Sequence, residues 1–341
     1  MTKIAVIGAG SWGTALSLVL ADNDQEVMLY GREQTNVDRI NEHHENAQFL
    51  PGVMLPESLK ATTDLKVAVD GATHILIVTP SSAIRAVSRQ LNELLTEPVV
   101  LIHASKGIEP KTHLRLSQLI EAEVDPAKRK AVCVLTGPSH AEEVALRKPT
   151  TVTIASDDLE EAGRVQELFT NENFRVYLNA DIIGAELGGA LKNIIALAAG
   201  MTDGLGYGDN AKAALITRGM VEMARLGTLL GANPMTFTGL TGMGDLIVTC
   251  TSVHSRNWRA GNAIGRGEKL ETVLENMGMV VEGVRATQAA YDLAETKQCE
   301  LPITSALYHV LFDGHTPEEE VKKLMQRPQK NEIEHLFTTK D

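Results

Sequence analysis

One short run limits what this chain can fold into more than any other: Gly8-Ala9-Gly10-Ser11-Trp12-Gly13. It follows directly on four apolar residues, Ile4–Ile7, and leads into a stretch of helical character, Gly13–Ala21. A GxGxxG turn between strand and helix is the turn that holds a dinucleotide. Its first glycine makes the tight bend, its second lets the backbone approach a pyrophosphate, and its third lets the helix pack on the strand. The helix start then offers N–H groups to the anion. Gly8, Gly10 and Gly13 are therefore candidate cofactor contacts. A tight turn with no ligand would use the same glycines, and the flanking strand and helix weigh against that.

The segments after the turn repeat the alternation. Lys3–Ile7, Glu26–Tyr30, His74–Val78, Val99–His103 and Ala131–Leu135 read as short buried strands, with Thr150–Ala155 and Phe174–Leu178 as later additions. Helical stretches such as Ala83–Leu95 and Leu114–Val124 lie between. Apolar strands alternating with helices predict a mostly parallel sheet covered on both faces. Past residue 180 the strands stop, and Ile182–Ala199, Ala211–Leu230, Ala286–Glu295 and Thr304–Phe312 have helical length and spacing. Thr316-Pro317-Glu318-Glu319 has the form of a capping box opening a last helix. At 341 residues two domains are expected. The fold class is α/β: a Rossmann-like, mostly parallel sheet domain over 1–180 that binds a dinucleotide, then an all-helical substrate and catalytic domain over 181–341.

The net charge of −12 excludes nucleic acid as a main partner, while a small anionic substrate remains compatible with local positive groups. Cys133, Cys250 and Cys299 lack CxxC spacing and read as reduced, buried thiols of a cytoplasmic protein. No unbroken run of about 18 apolar residues is present, so no membrane span is expected, and residues 4–7 are too short for a signal-peptide core. No metal site is expected. His43-His44 sits in a polar stretch and reads as a solvated loop, and there is no HExxH.

The end of the second strand bears on the cofactor. An acid there would bind the ribose hydroxyls of NAD. This strand ends Leu29-Tyr30-Gly31-Arg32, and a guanidinium suits a 2′-phosphate. NADP(H) is therefore the expected preference with NAD(H) tolerated. Glu33 would restore an acid after a one-residue change of register, and an ordinary solvated Arg32 is the plainer alternative. Ligands of a parallel sheet bind beyond its carboxyl edge. Three turns rich in small and polar residues are expected there: Val78–Ser82, Ala104–Gly107 with Lys106, and Thr136–Ala141 with Gly137 and Ser139.

Lys192 is the only charge in Leu187–Thr202, one turn after Gly188 and Gly189. Two glycines inside a helix cost roughly 1 kcal/mol each, a cost that close approach of a ligand or another backbone would explain. A buried ammonium has its pKa lowered towards neutrality. It could then give the proton and stabilise the charge that develops on oxygen when a carbonyl is reduced. A lysine reaching out to water is the competing reading. Gly239–Asp245 reads as a flexible turn whose Asp245 orients Lys192 or a substrate hydroxyl, or else caps the next segment. In His254-Ser255-Arg256-Asn257 a capping serine and a guanidinium at a helix start make a candidate phosphate or carboxylate site, with plain capping beside a surface charge as the alternative.

Taken in order, GAGSWGTALS, SKG at Ser105–Gly107, GPSHA at Gly137–Ala141, LKN at Leu191–Asn193, GxGD at Gly242–Asp245 and HSRN at His254–Asn257 resemble the bacterial NAD(P)-dependent sn-glycerol-3-phosphate dehydrogenases nearly end to end. The resemblance implies reduction of dihydroxyacetone phosphate to sn-glycerol 3-phosphate, feeding glycerophospholipid synthesis. It implies Lys192 as proton donor and acceptor. It also implies that Lys106, Gly137, Ser139, Lys192, Asp245, Ser255, Arg256 and Asn257 bind the substrate. For the cofactor it implies Ser11, Trp12, Arg32, Lys106, Ala141, Arg256, Val280 and Glu282, the last two with no independent physical reason. His140 is given no role. A homodimer is compatible with a helical second domain. Two other readings stay in play: a dehydrogenase of β-hydroxyacids or ketoacids, whose site would prefer a carboxylate, and a non-catalytic NADP(H) sensor, which would need no proton donor.

Overall fold

The computed structural model describes residues 2–278, 280–329 and 331–332. The chain divides into two compact units. Residues up to 105 together with 116–182 make the first, and 106–115 together with the chain from 183 onward make the second.

In the first unit the order is β1 (Lys3–Ile7), α1 (Ser11–Asp22), β2 (Glu26–Tyr30), α2 (Gln34–His43), β3 (Lys60–Thr62), α3 (Leu65–Val69), β4 (His74–Ile77) and α4 (Ile84–Leu94). It continues with β5 (Val99–His103), α5 (Leu116–Glu123), β6 (Arg129–Thr136), α6 (Ala141–Ala145), β7 (Thr150–Ala155), α7 (Leu159–Phe169) and β8 (Phe174–Asn179). The strands form one sheet in the order β3-β2-β1-β4-β5-β6-β7-β8. Every pairing is parallel except β6 with β7. Strands covered on both faces are apolar along most of their length: the five residues of β5 are all buried, and the first four, Val99–Ile102, are apolar. Between β1 and β4 the direction of strand addition reverses, which opens the carboxyl edge there for a ligand.

The second unit is helical: α8 (Ile182–Gly204), α9 (Asp209–Leu229), α10 (Asp245–Thr251), α11 (Arg256–Gly265), α12 (Leu270–Met277), α13 (Glu282–Lys297), α14 (Pro302–Phe312) and α15 (Pro317–Met325). Its core gathers around α8, with Leu187, Leu191, Ile194, Ile195 and Leu197 packed against residues such as Phe237, Leu246, Ala290 and Leu307. The capping box of α15 is present, with Thr316 and Glu319 each accepting from the other's backbone N–H.

Three sequence expectations change. α8 is long and apolar enough, by length and composition, to cross a membrane, a stretch that the search for an unbroken apolar run passed over. Its most apolar window is 89% buried, so that apolarity goes into a core. Gly239–Asp245 is ordered: Leu240–Gly244 makes a π-helical turn that leads into α10. His43 is the exposed last residue of α2 rather than a loop residue, while His44, its left-handed C-cap, stands in the bend that follows. Cys133, Cys250 and Cys299 are buried and in no disulfide among the described residues.

Candidate functional site

In the first unit the glycine turn is built from its own contacts. Gly8 donates its N–H to the carbonyl of Tyr30 at 3.0 Å. It holds φ at +128°, and a Cβ there would lie 2.6 Å from the Val78 oxygen. At Gly13 a Cβ would lie 1.9 Å from the Gly8 oxygen. Both are thus glycine because the turn packs against itself and against the loop after β4. Gly10 differs: a Cβ there would meet nothing within 4 Å, and its φ of −77° is open to any residue. Its lack of a side chain leaves room in front of α1. That helix has no side-chain cap and no acid in its first turn, so its positive end is uncompensated. An anion fits there, and the residues present suit a dinucleotide pyrophosphate. Asn46, fully buried, donates to the Ala9 carbonyl at 2.9 Å and to the Thr14 hydroxyl at 2.7 Å, pinning the turn to α1. Nothing in the local sequence marked it.

Ser11 and Trp12 open α1. Arg32 and Glu33 are both exposed just before the uncapped start of α2, with Glu33 at the N-cap. Gly137 takes φ +140° directly after β6, and the Ser139 hydroxyl donates to its carbonyl at 3.0 Å. Ala141 starts α6. The loops after β4 and β5 are tied by Ser105, which donates to Thr79 O at 2.5 Å. These residues share the carboxyl edge of the sheet.

The second unit holds a buried charge cluster. Asp245, 1% exposed, accepts at Oδ1 from Lys192 Nζ and at Oδ2 from Lys106 Nζ, each at 2.5 Å. Lys192, 5% exposed, also donates to the Thr249 hydroxyl at 2.7 Å. Thr249 lies one helical turn after Asp245 on α10 and returns its own hydrogen to the Asp245 carbonyl at 2.5 Å. Two lysines on one carboxylate leave a net charge of +1 in a poorly solvated place when Lys192 carries its proton, and an anionic ligand favours that form. Burial pulls the Lys192 ammonium down to about 7; Asp245 opposes this and Lys106 reinforces it. For Asp245, burial pushes upward, but the two ammonium groups together hold the carboxyl below its usual range.

The glycine ahead of Lys192 now has a cause. A Cβ on Gly188 would lie 2.4 Å from the Thr241 carbonyl oxygen, so backbone packing by the turn before α10 demands it. That contact brings Asp245 to Lys192.

Ser255 caps α11, accepting from the Trp258 N–H at 3.2 Å. Arg256, exposed, is the first residue of that helix. Asn257 is buried with both ends of its amide engaged: Nδ2 donates to Asn193 Oδ1 at 2.9 Å, and Oδ1 accepts from Gly283 N at 2.8 Å. One side chain thus joins α8, α11 and the start of α13. Val280 is exposed in the turn before α13, and Glu282 is that helix's first residue. The structure therefore brings Lys106, Lys192 and Asp245 into direct contact and places Ser255, Arg256, Asn257, Val280 and Glu282 in the same unit. Gly137, Ser139 and Ala141 stand in the other unit with Gly8–Gly13 and Arg32. Sequence reasoning missed Thr249 and Asn46. Among the described residues no group of three or more His, Cys, Asp or Glu is placed to hold a metal ion.

Comparison with known proteins gives a single picture. Residues 3–162 match the family model for the NAD-dependent glycerol-3-phosphate dehydrogenase N-terminus, and 181–322 match the model for its C-terminus. The chain is 70% identical over 337 residues to a glycerol-3-phosphate dehydrogenase (NAD(P)+) of an Exiguobacterium strain, covering 99% of each. It is 59% identical over 339 residues to that of Bacillus subtilis, covering 99% of this chain and 98% of the other. A crystal structure of glycerol-3-phosphate dehydrogenase from Coxiella burnetii superposes with a TM-score of 0.90 at 40% identity, covering 96% of this chain and 99% of that one. By identity maintained over its whole length, the chain belongs to the NAD(P)-dependent glycerol-3-phosphate dehydrogenase family.

Proposed function

We propose that this protein reduces dihydroxyacetone phosphate to sn-glycerol 3-phosphate with NAD(P)H and that Lys192 supplies the proton. The observation that carries the assignment of Lys192 is the buried Lys192–Asp245–Lys106 cluster, in which one ammonium is held near neutral acidity. The nicotinamide, when bound, supplies a hydride to the carbonyl carbon. The chain's own work is at the oxygen. Protonated Lys192 stabilises the negative charge there and transfers a proton to it; in the oxidation direction its neutral form takes the proton from the alcohol. Asp245 and Thr249 orient the Lys192 ammonium.

The substrate set is Lys106, Gly137, Ser139, Lys192, Asp245, Ser255, Arg256 and Asn257. Arg256 at the α11 start supplies the guanidinium for the phosphate. Because the Asn257 amide and the Asp245 carboxylate are already engaged within the protein, their side chains arrange the site. The cofactor set is Gly8, Gly10, Ser11, Trp12, Gly13, Arg32, Lys106, Ala141, Arg256, Val280 and Glu282. Arg32 beside the uncapped α2 start supports a preference for NADP(H), with NAD(H) accepted. Residues 1–180 serve the dinucleotide and 181–341 the substrate, with 106–115 lending Lys106 to the second. Buried thiols outside any disulfide support a cytoplasmic setting, where the product would supply glycerophospholipid synthesis. Exposed Leu229 and Met235 near the end of α9 support a homodimer.

The test is loss of NADPH or NADH absorbance with dihydroxyacetone phosphate, run beside a panel of ketoacids. Turnover of the phosphorylated ketone, faster with NADPH at limiting cofactor, is expected. Preference for a ketoacid, or no turnover at all, would overturn the proposal. Lys192→Met should abolish turnover while NADPH still binds.

A further inference from the structure

Lys106 comes directly after Ser105, in a segment that leaves the sheet unit after β5 and rejoins it at α5. The intervening residues 106–115 nevertheless belong to the helical unit. The segment is a small hairpin. Glu109 N donates to Leu114 O at 3.0 Å, His113 N donates to Glu109 O at 2.8 Å, and Ile108 bridges Arg115 in antiparallel fashion. His113 takes a left-handed φ of 57° to make the turn.

We infer that Glu186 and Arg115 are positioning residues that hold this hairpin, and with it the Lys106 ammonium, on the helical unit. The Arg115 guanidinium donates to the Glu186 carboxylate, whose side chain is 2% exposed on α8. A glutamate so deep in an apolar helix is unfavourable unless paired, so its presence needs a partner. That partner stands on the hairpin strand opposite Ile108, whose side chain is buried in the core around α8. His113 adds a looser hold, 3.8 Å from Asp292 of α13. The hairpin is therefore fastened at its far end by Arg115, in its middle by Ile108 and His113, and at its near end by Lys106 on Asp245. Glu186 stands six residues before Lys192 on the same helix, about 9 Å along its axis. It acts through Arg115 and Lys106.

This inference rests on the reading that Lys106 and Lys192 serve the substrate. Among the described residues, the titratable groups facing Lys192 are Asp245 and Cys250 of α10 and Lys106 of the hairpin. Lys106 makes the Lys192 proton easier to lose. Loosening the hairpin removes that neighbouring cation part of the time. The acidity of Lys192 then falls, and the basic limb of reduction moves to higher pH.

The experiment uses the full chain with Glu186→Gln, Arg115→Lys and the exchange Arg115→Glu with Glu186→Arg. Hydrogen exchange of the Glu109 and His113 amides, measured without cofactor or substrate, should quicken at least tenfold in Glu186→Gln, less in Arg115→Lys, and recover in the exchanged pair. The KM for dihydroxyacetone phosphate should rise about tenfold, the effect of one weakened charge-assisted contact, with a smaller change in kcat and the basic limb shifted upward. Exchange at the wild-type rate in a folded variant overturns the clamp. Faster exchange with an unmoved KM and pH limb overturns its link to Lys106. Should the wild-type protein leave dihydroxyacetone phosphate untouched, the functional reading fails while the exchange measurement still decides the clamp.

Discussion

Asp245→Asn tests the electrostatics of the site most directly, because the two shapes are nearly equal and only the charge goes. The carboxylate holds Lys192 and Lys106 at 2.5 Å each, and its removal leaves two ammonium groups facing a neutral amide. Lys192 then loses the main influence keeping it protonated, while burial and Lys106 continue to act against the proton. Loss of an opposite charge at this range changes the ratio of protonated to neutral form by roughly 10- to 1,000-fold. In the unaltered protein that ratio is close to one at about pH 7. A tenfold fall, the low end, leaves about one lysine in ten able to donate at that pH. The assay is kcat/KM for dihydroxyacetone phosphate reduction across pH at saturating NADPH. Reduction needs the protonated lysine, so activity declines as pH rises through its pKa, and the variant's decline should begin at lower pH. Glycerol 3-phosphate oxidation needs the neutral lysine and should keep more of its rate at neutral pH. The reasoning is refuted if Asp245→Asn folds, binds NADPH and retains a reduction profile with its basic limb near 7. Folding has its own check, since breaking a buried pair costs about 3–5 kcal/mol, which a denaturant midpoint reads.

The two glycines of the dinucleotide turn should separate cleanly. Gly13→Ala forces a Cβ against the Gly8 oxygen and should cost at least about 1–3 kcal/mol in urea unfolding. Gly10→Ala meets no protein atom within 4 Å, so it should unfold no more easily yet bind NADPH at least tenfold more weakly by fluorescence titration. Arg256→Ala should raise the KM for dihydroxyacetone phosphate strongly and move stability by no more than about 0.5 kcal/mol, since the residue is exposed. Glu222 is buried and accepts from Ile303 N, Thr304 N and the Thr304 hydroxyl at the start of α14. Burial pushes its carboxyl up from 4.5 to about 7 against those hydrogen bonds and Arg225. A raised folded-state pKa means that stability is fully present below pH 4.5 and lost as pH rises towards 7, by about 3 kcal/mol. Glu222→Gln should flatten that dependence in denaturant midpoints taken between pH 4.5 and 8.

Much of the sheet could be read from the sequence because its central strands β1, β4, β5 and β6 are buried on both faces over most of their length and so read as apolar runs, while β8 shows as an alternation of buried and exposed residues. The exception is instructive. β3 is Lys-Ala-Thr at the sheet edge, paired only through Met28–Tyr30, and a three-residue edge strand needs no apolar run. Lys192 stood out for a similar reason, as a lone charge inside a helix whose period was plain. Its companions did not. Thr249 lies in Leu-Ile-Val-Thr, whose β-branched residues suit a strand as well as a helix, and only a helix places it one turn beyond Asp245. Asn46 follows α2 in a stretch without period, and its partners are a backbone carbonyl of the glycine turn and the Thr14 hydroxyl of α1.

The glycines mark the deeper limit. Spacing alone gave Gly8, Gly10 and Gly13 three functions, and Gly188 a choice between ligand and backbone. The structure divides them by what a Cβ would strike. Gly8, Gly13 and Gly188 are explained by the protein's own atoms, and only Gly10 is left facing open space. Acidity behaves in the same way. The proton on Lys192 answers to Asp245, 53 residues further along, and to Lys106, which is itself 139 residues from that same carboxylate. Residue types and their order along the chain identify the ammonium. How readily it gives its proton is a property of three segments folded together, two of them joined where the Thr241 backbone packs on Gly188 and the third held by Arg115 on Glu186.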